Sequence, residues 1–247
     1  MTDEKAMRIR SRRSFLKAGV AVLGGVGSFH WLRTRRHDDG VPWPLRRVLE
    51  TNEQLAREYF SASHLAPTFP ESMVSPPREN GGEGLSRDFD IRSWTLKVVS
   101  SVHSRRLEMT LDDIKRLPRV EMVTELHCIE GWSQVVHWTG ARLSNLVAEA
   151  GSDARYVGME TPDGGYYVGL DIASAVHPQT LLCYEMNGRE LTPEHGAPLR
   201  LATPVKYGIK NIKRIGTVHF TNTRPPDFWA ERGYDWYAGL YHVVDSI

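Results

Sequence analysis

The chain is poor in cysteine: its 247 residues include two, Cys128 and Cys183. Two thiols cannot build the disulfide framework on which small loop-rich secreted folds depend. The familiar metal and cofactor spacings are missing as well. No C-x-x-C or H-E-x-x-H occurs, which argues against common zinc sites, and no C-x-x-C-H, which excludes covalent haem attachment. Neither G-x-x-x-x-G-K-[ST] nor G-x-G-x-x-G is present, which disfavours nucleotide folds built on a glycine-rich phosphate loop. Internal repeats and low-complexity tracts are absent. The most apolar stretch, residues 18–32, carries four glycines and falls short of the roughly 20 residues a membrane-spanning helix needs. Acidic residues are missing from His195 to Pro226, although that stretch holds Arg200, Lys206, Lys210, Lys213, Arg214 and Arg224.

What is present begins with an uneven charge. Residues 1–37 carry nine Lys and Arg against Asp3 and Glu4, a net of +7 in a chain of net +1, which leaves −6 for the body. A mildly acidic body argues against nucleic acid as a partner. The positive leader includes Arg12 and Arg13 just before Phe15 and Leu16, followed by the short apolar stretch. A basic region with a twin arginine and a short apolar segment is the pattern of a twin-arginine export signal over 1–37, and hence of a periplasmic protein. No A-x-A-like cleavage site follows Leu32, so the leader is also a candidate anchor. The twin-arginine route carries proteins already folded, often with a redox cofactor inserted.

Residues 38–90 read as an N-terminal extension wrapping the core. Within it, Pro42 to Phe60 has the spacing of a helix, with Leu45, Val48, Leu49 and Leu55 on one apolar face. Ala66 to Gly84, rich in Pro, Gly and Ser, reads as extended loop. Residues 91–247 are regular. Trp94 to Val99 alternates as a strand, and Thr110 with Asp113 caps a short helix stopped by Pro118. "VEMVTELHC" alternates again, ending at Cys128. Leu143, Leu146, Val147 and Ala150 form a helical stripe ended by Gly151. "ARYVGMETPDGGYYVGL" predicts strand, Asp-Gly turn, strand, and "DIASAV" a short helix. "TLLCYEMNGREL" predicts a strand entering an Asn187-Gly188 hairpin. "APLRLATP" and "IKRIGTVHFT" are two more strands, and the aromatic tail from Arg224 to Tyr241 reads as a cover. Strands dominate without regular βαβ alternation, so the fold class is a mixed α+β domain.

Cys183, between Leu and Tyr in a strand, reads as a small buried hydrophobe. Cys128 is open to several readings: a disulfide with Cys183, in an exported binding module without catalysis; a nucleophile with His127, His137, His177 or His195 as base; or a soft thiolate completing the coordination of a redox metal held mainly by an organic cofactor. The acid-free basic stretch reads either as a solvated face or as lysines and backbone N–H groups gathered for a phosphate. Trp132, His137, Tyr207, Tyr234, Trp236 and Tyr237 are candidate pocket walls.

"LHCIEGWSQVVHWTGARLSNLV" and "TLLCYEMNGRELTPEHGAPLRLATPVKYGIKNIKRIG" together resemble the sulfite oxidase superfamily of molybdopterin enzymes, in its exported bacterial branch near the periplasmic methionine-sulfoxide reductase catalytic subunit. The resemblance implies a mixed, β-rich molybdopterin-binding fold and molybdenum-molybdopterin as cofactor. It implies that Cys128 is the protein's ligand to the metal. It implies further that Asn80, Thr161, His195, Arg200, Asn211, Ile212 and Lys213 hold the pterin and its phosphate. His195 follows the sulfite oxidase pattern, where the methionine-sulfoxide reductases have Asn. Sulfite oxidases follow the ligand cysteine with Ala-Gly-Asn-Arg-Arg, whose arginine binds sulfite. Here the sequence reads Ile129-Glu130-Gly131-Trp132-Ser133, closer to the "EAWS" of the sulfoxide reductases. The resemblance therefore implies two-electron oxygen-atom transfer on a small-molecule or protein-bound substrate. Reduction of a sulfoxide-like compound is preferred over oxidation of sulfite or another small anion. With no haem domain in the chain, electrons are expected to pass through a separate carrier, a membrane haem protein or a cytochrome c.

Overall fold

The structure, a computed structural model, describes residues 3–38, 40–150 and 153–240, with side chains from Lys17 onward. Five α-helices are described: α1 (Asp3–Arg33), α2 (Trp43–Tyr59), α3 (Leu111–Lys115), α4 (Leu143–Ala150) and α5 (Ile172–Ala175). The strands run in chain order as β1 (His37–Asp38), β2 (Val41–Pro42), β3 (Leu96–Ser100), β4 (Arg105–Met109), β5 (Arg119–His127), β6 (Ser133–Arg142), β7 (Tyr156–Glu160), β8 (Tyr167–Asp171), β9 (Leu181–Met186), β10 (Arg189–Glu190), β11 (Arg200–Ala202) and β12 (Thr217–Thr221).

Two five-stranded sheets form the body. One has the order β10-β9-β6-β5, with β11 also paired to β9, and is antiparallel throughout. The other has the order β4-β3-β12-β7-β8, in which β3 and β12 are the parallel pair. The larger core lies between them. Leu96, Val98, Val157, Val168, Val218 and Phe220 of the second sheet meet Leu182, Tyr184 and Leu201 of the first, with the α4 stripe Leu143, Leu146 and Val147 closing one end. On the opposite face of the first sheet, Val136, Trp138, Leu181, Cys183 and Met186 form a second cluster. Alternate residues of β9 thus enter different cores, which is why this strand reads as an unbroken apolar run.

Local signals were followed closely. Thr110 and Asp113 form a reciprocal capping box on α3. Asn187 and Gly188 both take positive φ, 53° and 71°, as the primed hairpin turn requires. Gly151 lies outside the described residues. The aromatic tail is a cover: Trp236 and Tyr237 are buried, and Trp236 sits where a side chain on Gly169 would stand. β4 and β6 are additions to the sequence reading.

Three features were not evident from the sequence. β12 begins at Thr217 rather than Ile212, because Arg214 adopts φ 49° and turns the chain before the strand starts. The helix over 43–59 forms, but Leu45, Val48 and Leu55 face solvent, while Arg46, Glu53 and Ala56 are buried. The charged face finds its partners inside: Arg46 donates to the carbonyls of Ala230, Tyr234 and Asp38, and Glu53 pairs with Arg57 and Arg224. Third, the basic stretch is neither a solvated face nor a single cluster. Arg200, Lys206, Lys210 and Arg214 are all buried, and Lys210 is paired at 2.5 Å with Asp227, the first residue past the acid-free segment.

The two cores meet at a tight crossing. The β6–β9 register shifts between Thr139 and Gly140, and a Cβ on Gly140 would stand 2.2 Å from the Leu182 carbonyl oxygen. Gly140→Ala is therefore expected to lower stability by about 1–3 kcal/mol through overpacking, read as a fall in the urea unfolding midpoint.

Candidate active site

β5 and β6 form a long hairpin paired from Arg119↔Ala141 to His127↔Ser133. Cys128 follows the last pair. Its backbone N–H donates to the Trp132 carbonyl at 2.9 Å, and Gly131, at φ 87°, returns an N–H to the Cys128 carbonyl at 3.1 Å. The hairpin thus ends in a small closed loop that holds the sulfur at the rim of a cavity of about 250 Å³. Across it runs the extended segment after α2. That segment is laid along the hairpin by Phe69 N–H to the Val123 carbonyl, Ser75 N–H to the Val135 carbonyl and Arg78 N–H to Gln134 Oε1.

The segment delivers Asn80, whose Nδ2 lies 3.5 Å from Cys128 Sγ. Glu130 Oε2 lies 3.8 Å from the same sulfur and accepts from the Trp132 indole N–H at 3.0 Å. The floor comes from the segment between β9 and β12. Arg200, buried, donates to the His195 carbonyl at 3.1 Å and lies over the Trp138 ring at 4.9 Å. Its Nε is buried with no hydrogen-bond partner. The Lys213 ammonium is held by the carbonyls of Asn80, Gly81 and Glu194. Gly196, at φ 94°, lets this loop close, since a side chain there would meet Lys213 Cβ at 2.6 Å. Asn211 accepts from Thr203 N–H at 2.7 Å and fixes the turn beneath.

Charge in the cavity follows from burial. Burial, then the Arg200 guanidinium, brings the Lys213 ammonium down to about 8. Burial, then Arg200 and Lys213, lowers His195, which keeps its ring neutral. Burial lowers Arg200 to about 10. The Arg200 and Lys213 cations would both be relieved by an anion, and a buried guanidinium N–H left without an acceptor costs about 1–3 kcal/mol until one arrives. The donor set, one soft sulfur at the rim and a cationic floor, fits a metal held by a phosphorylated organic cofactor.

Six of the eight residues expected from the sequence converge here: Asn80, Cys128, His195, Arg200, Asn211 and Lys213. Thr161 and Ile212 lie elsewhere. The Thr161 hydroxyl is spent on Asp163 at 2.6 Å and on the backbone of Tyr166, and Ile212 is in the main core. Among the candidate walls, Trp132 and Tyr234 line the cavity. His137 points away toward Glu121 at 3.2 Å, Tyr207 lines an adjoining groove, and Trp236 and Tyr237 are core. Trp138 and Met186, not anticipated, face each other directly across β6 and β9. The signal was available, since Met186 immediately precedes the Asn-Gly turn that sets the register of its strand. Cys128 and Cys183 are both free, which overturns the disulfide and the non-enzymatic binding module built on it. Burial pushes the Cys183 thiol up to about 12, as suits an inert core residue.

An anion beside Lys213 raises its value above 8, so retention of an anionic cofactor is expected to fall only as pH climbs past that point and the ammonium deprotonates. Lys213→Met is expected to cost about tenfold in retention and to flatten that dependence, measured as molybdenum and pterin per chain after dialysis across a pH series.

Known proteins bear on this geometry. The family described as "Oxidoreductase molybdopterin binding domain" matches residues 83–229, so Asn80 lies just outside the matched span. A curated relative from Azospira oryzae, provisionally named as the protein-methionine-sulfoxide reductase subunit YedZ1, is 34% identical over 240 residues, 95% of this chain and 90% of its own. Among solved structures, the sulfane dehydrogenase SoxCD of Paracoccus pantotrophus matches with a TM-score of 0.53 at 19% identity. That match covers 66% of this chain and 46% of SoxCD, and shows a shared fold. With more than half of its length matched by one family and a relative aligned along nearly all of it, the chain belongs to the molybdopterin-binding oxidoreductases of the sulfite oxidase superfamily.

Proposed function

We propose that this molybdopterin oxidoreductase is exported to the periplasm and there reduces a sulfoxide-like substrate. The observation that carries the reading is Glu130. Its carboxylate lies 3.8 Å from Cys128 Sγ, in the loop where the sulfite pattern has arginines. A carboxylate beside the reacting position repels a small anion and admits a neutral S=O group. The name of the Azospira relative supports sulfoxide chemistry, and its designation as a subunit supports a separate electron donor such as a membrane haem protein or a cytochrome c. The twin arginine, Arg12 and Arg13, supports export in the folded, cofactor-loaded state.

Reduction of a sulfoxide takes two electrons and two protons and yields a sulfide and water. Molybdenum-molybdopterin, when bound, supplies the two-electron oxygen-atom exchange. The chain's own residues prepare its seat. Cys128 offers the protein sulfur, and the Asn80 amide donates toward it. Arg200 and Lys213 would hold an anionic arm of the cofactor, with Asn211 fixing the loop between them. His195, its ring held neutral by burial and the neighbouring cations, lines the same cavity. Trp132, Trp229 and Tyr234 wall the mouth and suit the alkyl groups of a sulfoxide, since sulfur packs well against aromatic edges.

One observation favours oxidation of a small anion instead. The Arg78 guanidinium, 4.6 Å from the Trp132 ring centroid, lines the same cavity and offers a positive charge from outside the 129–133 loop. It is exposed at the rim, whereas Glu130 lies directly beside the sulfur. Steady-state assays in both directions separate the readings. Sulfoxide reduction with a reduced viologen dye is expected to exceed sulfite oxidation; the reverse ranking would assign the site to anions. Cys128→Ala is expected to keep the fold, because the side chain is at the rim rather than in either core, while abolishing turnover. Wild-type turnover in that variant would remove Cys128 from the metal.

A further inference from the structure

Helix α2 presents the wrong face to water. Arg46 and Glu53 are sunk against the C-terminal tail, while Leu45, Val48 and Leu55 on one row stand 42%, 57% and 53% exposed, with Trp43 exposed at the first turn and Arg47, Glu50 and Glu58 exposed on another face. Asn52 lies on the same helical row. An apolar stripe of this kind on a well-anchored helix marks a docking surface.

The chain around the stripe indicates what docks. The backbone N–H of Trp43 bonds to the Arg36 carbonyl at 2.9 Å, so the turn after α1 is fastened to the start of α2. Arg33 and Arg36 in that turn are exposed. On its far side α1 exposes Val20, Leu23, Val26 and Phe29. Two exposed apolar surfaces therefore flank one cationic turn. No described helix is long and apolar enough to cross a membrane. An anionic bilayer surface answers both features, with apolar side chains entering the acyl boundary and arginines meeting the phosphates. Trp43, at the junction, has the amphipathic ring favoured at that depth.

We propose that α2 is an interfacial docking helix that lays this protein on an anionic phospholipid surface. The proposal is independent of the substrate reading. It has a geometric consequence: a groove lined by Asn52, Ile129, Tyr207, Ile209 and Tyr234 opens beside the stripe. Ile129, Ile209 and Tyr234 also line the Cys128 cavity. Docking through α2 sets the mouth of that cavity at the bilayer, within reach of an electron carrier held there.

The test uses the full chain, leader intact, loaded with cofactor. Wild type and a Leu45→Glu, Val48→Glu, Leu55→Glu variant are co-sedimented with vesicles of phosphatidylcholine containing phosphatidylglycerol. Because α1 is the same in both, the difference reports on α2. The variant is expected to partition roughly tenfold less, with cofactor content unchanged. Amide hydrogen exchange of the wild type gives a second readout that does not depend on the variant folding: residues 43–59 are expected to slow when vesicles are added. Equal partitioning of the two proteins, or unchanged exchange over 43–59, would overturn the proposal. So would a change from dimer to monomer in the variant with vesicle binding intact, which would make the stripe a contact between copies of this chain.

Discussion

One ammonium group joins three separate stretches of chain. Lys213 reaches the carbonyls of Asn80 and Gly81 on the crossing segment and of Glu194 at the turn before Gly196. The segment that passes over the Cys128 hairpin is thereby tied to the loop that forms the floor. The backbone bonds from Phe69, Ser75 and Arg78 lay that segment along the hairpin, and the Lys213 tie joins its end at Asn80 and Gly81 to the floor. The same ammonium is crowded by Arg200 and partly desolvated, so the unliganded protein carries an unfavourable electrostatic load at its centre. A site of this kind is built around a ligand: its polar groups are in position before the anion arrives, and the anion relieves the repulsion among them.

The remaining buried cations show how costly charges are housed when no ligand is available. Lys210 is neutralised by Asp227, which also accepts from the N–H of Gly169 and so fastens the tail to β8. Arg214 is spent on the carbonyls of Ser86, Pro193 and Ala197. Lys206 lies over the Tyr237 ring, its Nζ 2.9 Å from the centroid, with burial holding it well below its ordinary value. Removing one partner from any of these groups would leave a charge stranded in the interior, a far larger loss than the net worth of the pair. The segment from Arg200 to Arg224 is therefore basic because it is the central layer on which the tail and the extension both pack.

Much of this was legible before the fold was known, and for local reasons. The capping box at Thr110, the stripe on α4, the Asn-Gly hairpin and the alternation of β5 each depend on residues within a few positions of one another. Cys128, Asn80, His195, Arg200, Asn211 and Lys213 were named from motif matches and do converge. Thr161 and Ile212 came from the same matches and do not, because a matched motif fixes neighbourhood along the chain but not which side chains turn toward the cavity. The α2 stripe was read as a helical row, which it is; that it faces solvent was not legible. Periodicity reports that a face is apolar; which face packs depends on what the rest of the chain offers, here carbonyls and guanidinium groups for Arg46 and Glu53.

Most elements and turns were thus written in the order of the residues, because hydrogen-bond spacing and side-chain alternation act over short distances, while the chemical kind of the site came from the resemblance of two motifs. The distribution of charge was not so written. Arg200 finds its carbonyls and Lys210 its carboxylate only where the sheets, the extension and the tail meet, since an ion's cost depends on its surroundings in three dimensions rather than on its neighbours in sequence. The same holds for Glu130. In the sequence it is one acid in a five-residue loop; in the fold its carboxylate lies beside the Cys128 sulfur at the cavity rim.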